Sequence, residues 1–123
     1  MYSIDPLSTV PIYEQIVGQS EKLVLSGALE AGTQFPSVRF VSVKHSVNSR
    51  TVLKAYSVLS ERGVIQADGT RGYFVCHDAS EQIKNSRQNE LDGLKETVKR
   101  IATAGIAKDR ILESVEQAYN ELN

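Results

Sequence analysis

Two short helical segments with almost no chain between them impose the strongest constraint on the fold. The first is predicted to run from Ser37 to about His45, since Pro36 keeps its own predecessor out of helical backbone angles. The second begins so soon afterwards that only Ser46 and Val47 separate the two. Helices joined this tightly form a helix-turn-helix.

The second of these helices has the clearest start and stop signals in the chain. Asn48 can cap its first turn, and Val47 and Val52 occupy the two positions of a hydrophobic staple. Arg62 followed by Gly63 is typical of a helix C-terminus. The apolar stripe between these ends consists of Val52, Ala55, Tyr56 and Leu59. These signals predict a helix with one buried face.

The segments on either side extend this unit. Residues 64–66 and 73–75 are β-prone, and they bracket the sequence Asp-Gly-Thr-Arg-Gly, which predicts a hairpin with a glycine-rich tip. A first helix is predicted from Pro11 to about Ser26, with Gly27 as its stop signal. Helix, helix-turn-helix and hairpin, in this order, predict a winged helix.

The remaining residues, 77–123, are predicted to form two helices. One begins at Asp78 or Ser80 and ends before Gly105, and the other begins at about Ala107 or Lys108. Apolar residues recur along both at helical spacing, and those of the first helix follow the a/d positions of a heptad. The candidate dimerisation residues are Leu91, Leu94, Val98, Ile101, Ile111, Val115 and Tyr119.

This apolar seam has two interpretations. It could pack on the winged helix of its own chain, or on the same seam of a second chain. Two helices of this length share too little core to stand alone, which favours a homodimer. The predicted fold is therefore mostly α with a small β-hairpin: a winged-helix DNA-binding domain, 1–76, and a helical dimerisation tail, 77–123.

Composition excludes several classes of protein. No apolar run approaches the ~20 residues of a membrane span, and residues 1–10 lack the basic and apolar regions of a signal peptide. The net charge is −1, and residues 1–76 carry seven Lys/Arg against six Asp/Glu, so charge alone does not identify a nucleic-acid partner. We expect a cytoplasmic protein without a membrane partner.

Catalytic and metal sites are not expected. Cys76, His77 and Asp78 are adjacent on an extended strand, where successive side chains point to opposite faces and do not converge. Zinc needs three or four ligands, and His45 is the only other histidine. We predict no enzyme activity, cofactor or metal; Cys76 is interpreted as an inert strand-end residue, with redox sensing left open.

Polar and basic residues at the start of the second helix of the pair predict DNA binding. A recognition helix places its N-terminal residues against base edges in the major groove, where Arg suits guanine and Asn suits adenine. Asn48 is assigned to capping first, because one oxygen cannot serve both purposes. The candidate DNA-binding residues are Arg39, Asn48, Ser49, Arg50, Thr51, Lys54 and, at the hairpin tip, Thr70, Arg71 and Gly72. Surface arginines are usually solvated, and helix-turn-helix units also serve as protein-interaction modules, which is the alternative function.

The motifs resemble the N-terminal domain of GntR-family transcriptional regulators, in particular the short YtrA-like branch. The resemblance covers about residues 4–76 and rests on residues 11–16 (Pro-Ile-Tyr-Glu-Gln-Ile), 25–27, Gly32, 36–39, 47–48, 51–52, 54–56, Leu59, 63–65, Gly69, Gly72 and 74–75. Phe40, Ser20, His45 and Ser46 depart from the usual pattern of an acid, an apolar residue, a leucine and a glycine.

The resemblance implies a homodimer that binds double-stranded operator DNA of two-fold symmetry, usually as a repressor. The contacts it implies fall on Arg39, Ser49, Arg50, Thr51, Arg71 and Gly72. No separate ligand domain fits after residue 76. A small-molecule effector would therefore bind between the winged domain and the tail, or at the dimer interface.

Overall fold

The structure, a computed structural model, describes residues 1–122, which divide into two compact units, residues 1–86 and 87–122. The elements are five helices, α1 to α5, and two strands, β1 and β2, with a single 3₁₀ turn between the strands. In chain order they are α1 (Ile12–Leu25), α2 (Val38–His45), α3 (Ser49–Glu61), β1 (Ile65–Ala67), the 3₁₀ turn (Gly69–Arg71), β2 (Tyr73–Val75), α4 (Ala79–Thr103) and α5 (Lys108–Glu121). The predicted fold, mostly helical with a small hairpin, is confirmed.

Helix ends follow the local signals closely. Pro11 precedes α1 as its N-cap with an extended ψ of 147°, so the helix begins one residue later than predicted. After α3, Gly63 has a φ of +75°, the left-handed conformation that glycine adopts without a steric cost. The short-range rules therefore place these ends to within a residue.

Tyr56 lies at the centre of the N-terminal core. Its ring packs edge-on against Phe35, with 5.1 Å between centroids, and against Tyr73, at 5.2 Å. Its hydroxyl donates a 2.7 Å hydrogen bond to the carbonyl oxygen of Pro36, just before α2. The core joins α1, α2, α3, the hairpin and the first turns of α4, and its buried side chains are Tyr2, Ile16, Val17, Val24, Phe35, Val41, Val47, Val52, Ala55, Tyr56, Leu59, Val64, Ile65, Val75, Ala79 and Ile83.

The first residues of the chain pack on α1, which the sequence did not predict. Tyr2 is buried, and its hydroxyl lies 2.7 Å from the Oγ of Ser20. Ser3 exchanges two 2.8 Å hydrogen bonds with the side-chain amide of Gln19. The hydroxyl at position 20, where an apolar residue is usual, therefore has a partner in Tyr2.

A charged pair connects α1 to the end of α3. The Nη1 of Arg62 donates to the Oε1 of Glu21 over 2.9 Å, and the Glu21 side chain is 2% exposed against 35% for Arg62. A buried carboxylate needs charged or hydrogen-bonding partners to offset its desolvation. Arg62 thus supports the packing of the two helices, a role that its helix-terminal position alone did not indicate.

A third extended segment supports the hairpin. β1 and β2 pair antiparallel with Ile65 opposite Val75, and Gln34 forms an additional antiparallel bridge to Phe74. The amide of Phe35 donates to the carbonyl of Tyr73 over 2.8 Å. The segment that leads into α2 is therefore hydrogen-bonded to the wing.

The C-terminal unit contains the rest of α4 and all of α5. Ala79 and Ile83, in the first turns of α4, are buried in the N-terminal unit, whereas from Arg87 onwards no described side chain is fully buried. The boundary between the compact units falls inside α4. The domain boundary predicted after residue 76 stays a prediction about which part folds independently.

Candidate nucleic-acid interface

The turn between α2 and α3 is held by local hydrogen bonds. Ser46 adopts a left-handed conformation with a φ of 53°, the only described non-glycine residue with a positive φ. The hydroxyl of Ser42 donates a 2.6 Å hydrogen bond to the carbonyl of Val47. At the other end of α2, the Oγ of Ser37 accepts a hydrogen bond from the amide of Phe40 over 3.0 Å. These contacts fix where α3 begins.

The start of α3 is presented to solvent. The Oδ1 of Asn48 accepts a 2.8 Å hydrogen bond from the amide of Arg50, so the predicted capping role is confirmed. The side chains of Ser49, Arg50 and Lys54 are exposed, and Thr51 is half-buried. The opposite face of the helix is buried, so this face alone is available to a ligand.

A groove of about 440 Å³ lies between the start of α1 and the start of α3. It brings three of the predicted DNA-binding residues together, and it adds residues of α1 that the prediction did not include. Its lining residues are Pro11, Ile12, Tyr13, Arg50, Thr51 and Lys54. The Nζ of Lys54 lies 4.2 Å from the ring centroid of Tyr13. Only the resemblance, through its Pro-Ile-Tyr motif, touched on Tyr13.

Arg39 lies in a second groove, of about 440 Å³, on α2. Its neighbours there are Ser37, Phe40, Val43 and Lys44. Phe40 is 51% exposed and Val43 74% exposed, and the Nζ of Lys44 lies 5.4 Å from the Phe40 ring centroid. This surface combines apolar and basic side chains, unlike the polar start of α3.

The wing carries Arg71 at its tip, close to an acid and a ring. The Nη1 of Arg71 lies 3.2 Å from the Oδ2 of Asp68, and its guanidinium is 5.5 Å from the Phe74 ring centroid. Thr70 is exposed beside it. Gly72 has a φ of +98°, and a Cβ added there would lie 3.3 Å from the Nε2 of Gln34. Position 72 therefore favours glycine for its backbone conformation, and a larger residue there would also displace the end of the Gln34 side chain.

The region around Cys76 has a different chemistry. Burial raises the pKa of the Cys76 thiol, and the charge of Asp78 raises it further, so the reactive thiolate is disfavoured. A cavity of about 380 Å³ nearby is lined in part by Glu30, Asp78 and Glu81. Within residues 1–122, no three Cys, His, Asp or Glu side chains are grouped as metal ligands would be. The carboxylates make this region unsuitable for phosphate groups.

The C-terminal unit has an apolar surface. Leu91 is 55% exposed, Leu94 46% and Tyr119 69%, and Val115 is exposed as well. Val98, Ile101 and Ile111 are half-buried. Among the described residues, no helix combines the length and the apolar character that a membrane span requires.

Comparisons with known proteins agree with this geometry. The family model described as bacterial regulatory proteins, gntR family, matches residues 12–75. The HTH-type transcriptional repressor YtrA of Bacillus subtilis is 31% identical over 118 residues, which cover 95% of this chain and 91% of that protein.

Solved structures show the same likeness over nearly the whole chain. A transcriptional antiterminator from Listeria monocytogenes superposes with a TM-score of 0.70 at 28% identity, over 97% of this chain and 90% of that one. YtrA from Sulfolobus acidocaldarius, described as a GntR-family transcription factor, superposes with a TM-score of 0.60 at 31% identity, over 98% of each chain.

Proposed function

This chain belongs to the gntR family of bacterial regulatory proteins, and from this premise we propose that it represses transcription as a homodimer bound to a two-fold DNA operator. It is a transcriptional regulator with a helix-turn-helix, and its relatives are regulators rather than enzymes. What we add is which residues bind the DNA, how two chains assemble, and the direction of regulation.

The exposed, capped start of α3 is the observation that carries the proposal. Because the Oδ1 of Asn48 holds the amide of Arg50, the side chains of Ser49 and Arg50 project from an ordered first turn. An arginine here can donate two hydrogen bonds to guanine in the major groove. We therefore take α3 as the recognition helix, with Arg50 as its principal base-reading residue and Thr51 and Lys54 beside it.

Arg39 and the wing residues complete the proposed contact surface. Arg39, at the start of α2, and Arg71, at the tip of the wing, would lie on either side of the groove that the recognition helix enters. Arg71 is suited to the narrow minor groove, which attracts arginine. Gly69 and Gly72 have no side chains and would permit close approach of the wing backbone, with Thr70 exposed between them. To reach a phosphate or a base, Arg71 would exchange the carboxylate of Asp68 for it.

The homodimer rests on the C-terminal unit. Leucines that are about half exposed at positions 91 and 94 lie on one heptad seam with Val98 and Ile101. A second copy would bury this seam and would place two recognition helices about 34 Å apart, or a multiple of it, to match two half-sites. We place the protein in the cytoplasm with its DNA target; a small-molecule effector stays a prediction from the sequence.

Selection of genomic fragments by the purified protein, followed by titration of the selected duplex at several salt concentrations, tests the proposal. A DNA reader should lose affinity with a log–log slope of about −0.9 per phosphate neutralised. The alternative, a protein-interaction module, is favoured by the exposed Phe40 and Val43. It predicts no duplex binding even at low salt.

Arg50→Ala should then weaken operator binding by about 1–3 kcal/mol, because it removes a bidentate base contact. Arg100→Ala, an exposed arginine of the C-terminal unit, is the matched control and should bind as the wild type does. Unchanged operator affinity of Arg50→Ala would remove this residue from the interface.

A further inference from the structure

The groove between α1 and the recognition helix holds a lysine against an aromatic ring. The Nζ of Lys54 lies 4.2 Å from the ring centroid of Tyr13, within the range of a cation–π contact. The hydroxyl of Tyr13 donates to the Oε1 of Glu14 over 3.2 Å. The ring therefore holds the ammonium group, while the hydroxyl, at the edge of the ring, is engaged by a neighbour on the same helix.

This contact restricts a side chain that would otherwise be mobile. A lysine on a helix surface has four flexible carbon–carbon bonds, and ordering it on a ligand costs rotamer entropy. The Tyr13 ring limits that freedom before any ligand arrives. Because α1 is fixed to the core through Ile16 and Val17, the position of Lys54 is set by a helix outside the helix-turn-helix.

The same groove contains a second cation and a hydroxyl. Arg50 and Thr51 line it with Lys54, and its volume is about 440 Å³. The exposed ammonium of Lys54, with the positive charge of Arg50 beside it, suits a single anionic group, and the guanidinium of Arg50 stays assigned to a base. On a surface that presents its recognition helix to a duplex, that group is a phosphodiester of the DNA backbone at the edge of the major groove.

We propose that this groove binds one backbone phosphate of the duplex, that Lys54 contacts this phosphate, and that Tyr13 is the positioning residue for Lys54. The inference rests on the proposed function and deepens it, because it assigns Lys54 to phosphate rather than to a base. It also adds α1 to the DNA-binding surface.

Binding to two duplexes tests the assignment of Lys54: the selected operator fragment and a duplex of mixed sequence. A phosphate contact is independent of sequence, so Lys54→Gln should weaken binding to both duplexes by a similar factor. Because each chain of the proposed homodimer would lose one phosphate contact, the salt slope should become shallower by about 0.9 per chain, or about 1.8 for the dimer. Lys22→Gln, an exposed lysine in the last turn of α1, removes the same charge outside the groove and should leave both affinities unchanged.

The role of Tyr13 is tested in the presence and absence of Lys54. Tyr13→Leu should weaken binding about two- to five-fold, because Lys54 would then lose on the DNA part of the rotamer freedom that the ring already restricts in the wild type. It should have no further effect in a Lys54→Gln background. Tyr13→Phe should bind as the wild type does, because the ring face is retained. A structural role alone would not produce this dependence on Lys54.

Tyr13 is partly buried against the core, so Tyr13→Leu is checked for folding by its melting temperature. A fluorinated phenylalanine at position 13 keeps the shape of the ring and weakens its attraction for a cation. It should reproduce the loss of affinity without a loss of stability.

Any of four outcomes would overturn the inference. A loss confined to the operator in Lys54→Gln would make Lys54 a base-reading residue. Wild-type binding by both Tyr13→Leu and the fluorinated variant would remove Tyr13 from any role in DNA binding. Absence of salt-dependent DNA binding by the wild type would overturn the proposed function itself. If Arg50→Ala weakened DNA binding and Lys54→Gln did not, only the phosphate site would be overturned.

Discussion

The two compact units of this chain differ in how far their apolar side chains are buried. In residues 1–86, apolar side chains of α1, α2, α3, the hairpin and the first turns of α4 enclose one another around Tyr56. In residues 87–122, leucines and a tyrosine at helical spacing stay exposed. The first unit forms its core within one chain. The second unit leaves exposed the apolar side chains that would form a core with a second copy.

Leu94→Glu tests this difference most strongly. A carboxylate on the proposed seam would be desolvated in the dimer, so we expect the dimer dissociation constant to rise at least about a hundredfold. Analytical ultracentrifugation should show monomers. Asn89→Glu places the same side chain on an exposed position of α4 on the side away from the seam and should leave the dimer intact. A dimeric Leu94→Glu would place the interface elsewhere.

Truncation of one leucine in each unit sharpens the comparison. Leu59 is fully buried, and Leu59→Ala should lower the unfolding free energy by about 2–5 kcal/mol at any protein concentration. Leu91 is 55% exposed on the proposed seam, so Leu91→Ala should act through association and therefore depend on protein concentration. Denaturant titrations at two concentrations separate these effects, and equal, concentration-independent losses would contradict the comparison.

Ion pairs in the two units should also differ in how much they contribute to the free energy of unfolding. Arg62→Ala leaves the buried carboxylate of Glu21 with one charged partner fewer, and we expect a loss of about 2 kcal/mol in unfolding free energy. The control is Lys99→Ala, whose amine lies 3.5 Å from Glu96 with both side chains exposed. It should change stability by no more than about 0.5 kcal/mol. Similar losses in the two variants would remove the distinction between these pairs.

The smallest expected effect is a pH dependence at His45. Its Nε2 accepts a hydrogen bond from the amide of Tyr2 over 3.4 Å, and burial, with Lys44 nearby, lowers the pKa of His45 below its ordinary value of 6.5. The folded state therefore favours the neutral ring. This contribution to stability is present in full above pH 6.5 and is lost as the pH falls through the lower pKa of the folded state.

Melting temperatures at about pH 7.5 and about pH 5 measure this effect. Part of the wild-type decrease on acidification should be missing in His45→Gln, which cannot titrate in this range. An identical decrease in both proteins would show that other groups carry the pH dependence.

Short-range signals predicted most of the fold. Asn48 caps α3 as predicted, because a cap is made within three residues of the helix start. Ser37, predicted as the first residue of α2, is instead its cap, so this helix begins one residue later. Contacts between residues distant in the sequence were not predicted. The pairs Tyr2–Ser20 and Arg62–Glu21 follow no periodic pattern in the sequence. The two side chains of each pair meet only when the segments that carry them have packed together.

The candidate site likewise contains features that local sequence signals predict and features that they do not. The exposure of Arg50 follows from the amphipathic pattern of its own helix, so the sequence alone could indicate it. The pairing of Tyr13 with Lys54 depends on how α1 crosses α3, and no local pattern of either helix contains that information. Sequence resemblance pointed to the motif around Tyr13 without indicating what the ring contacts.

The bridge between Gln34 and Phe74 joins the wing to the segment that leads into α2, so that the two should move together. Val75 donates to the carbonyl of Thr33 and Phe35 to that of Tyr73, over 2.9 and 2.8 Å. α2 begins only two residues after Pro36, and Arg39 is its second residue, so a deflection of the wing should also displace Arg39. In the proposed complex, the contacts of the wing and those of α2 with DNA should therefore form together and be lost together.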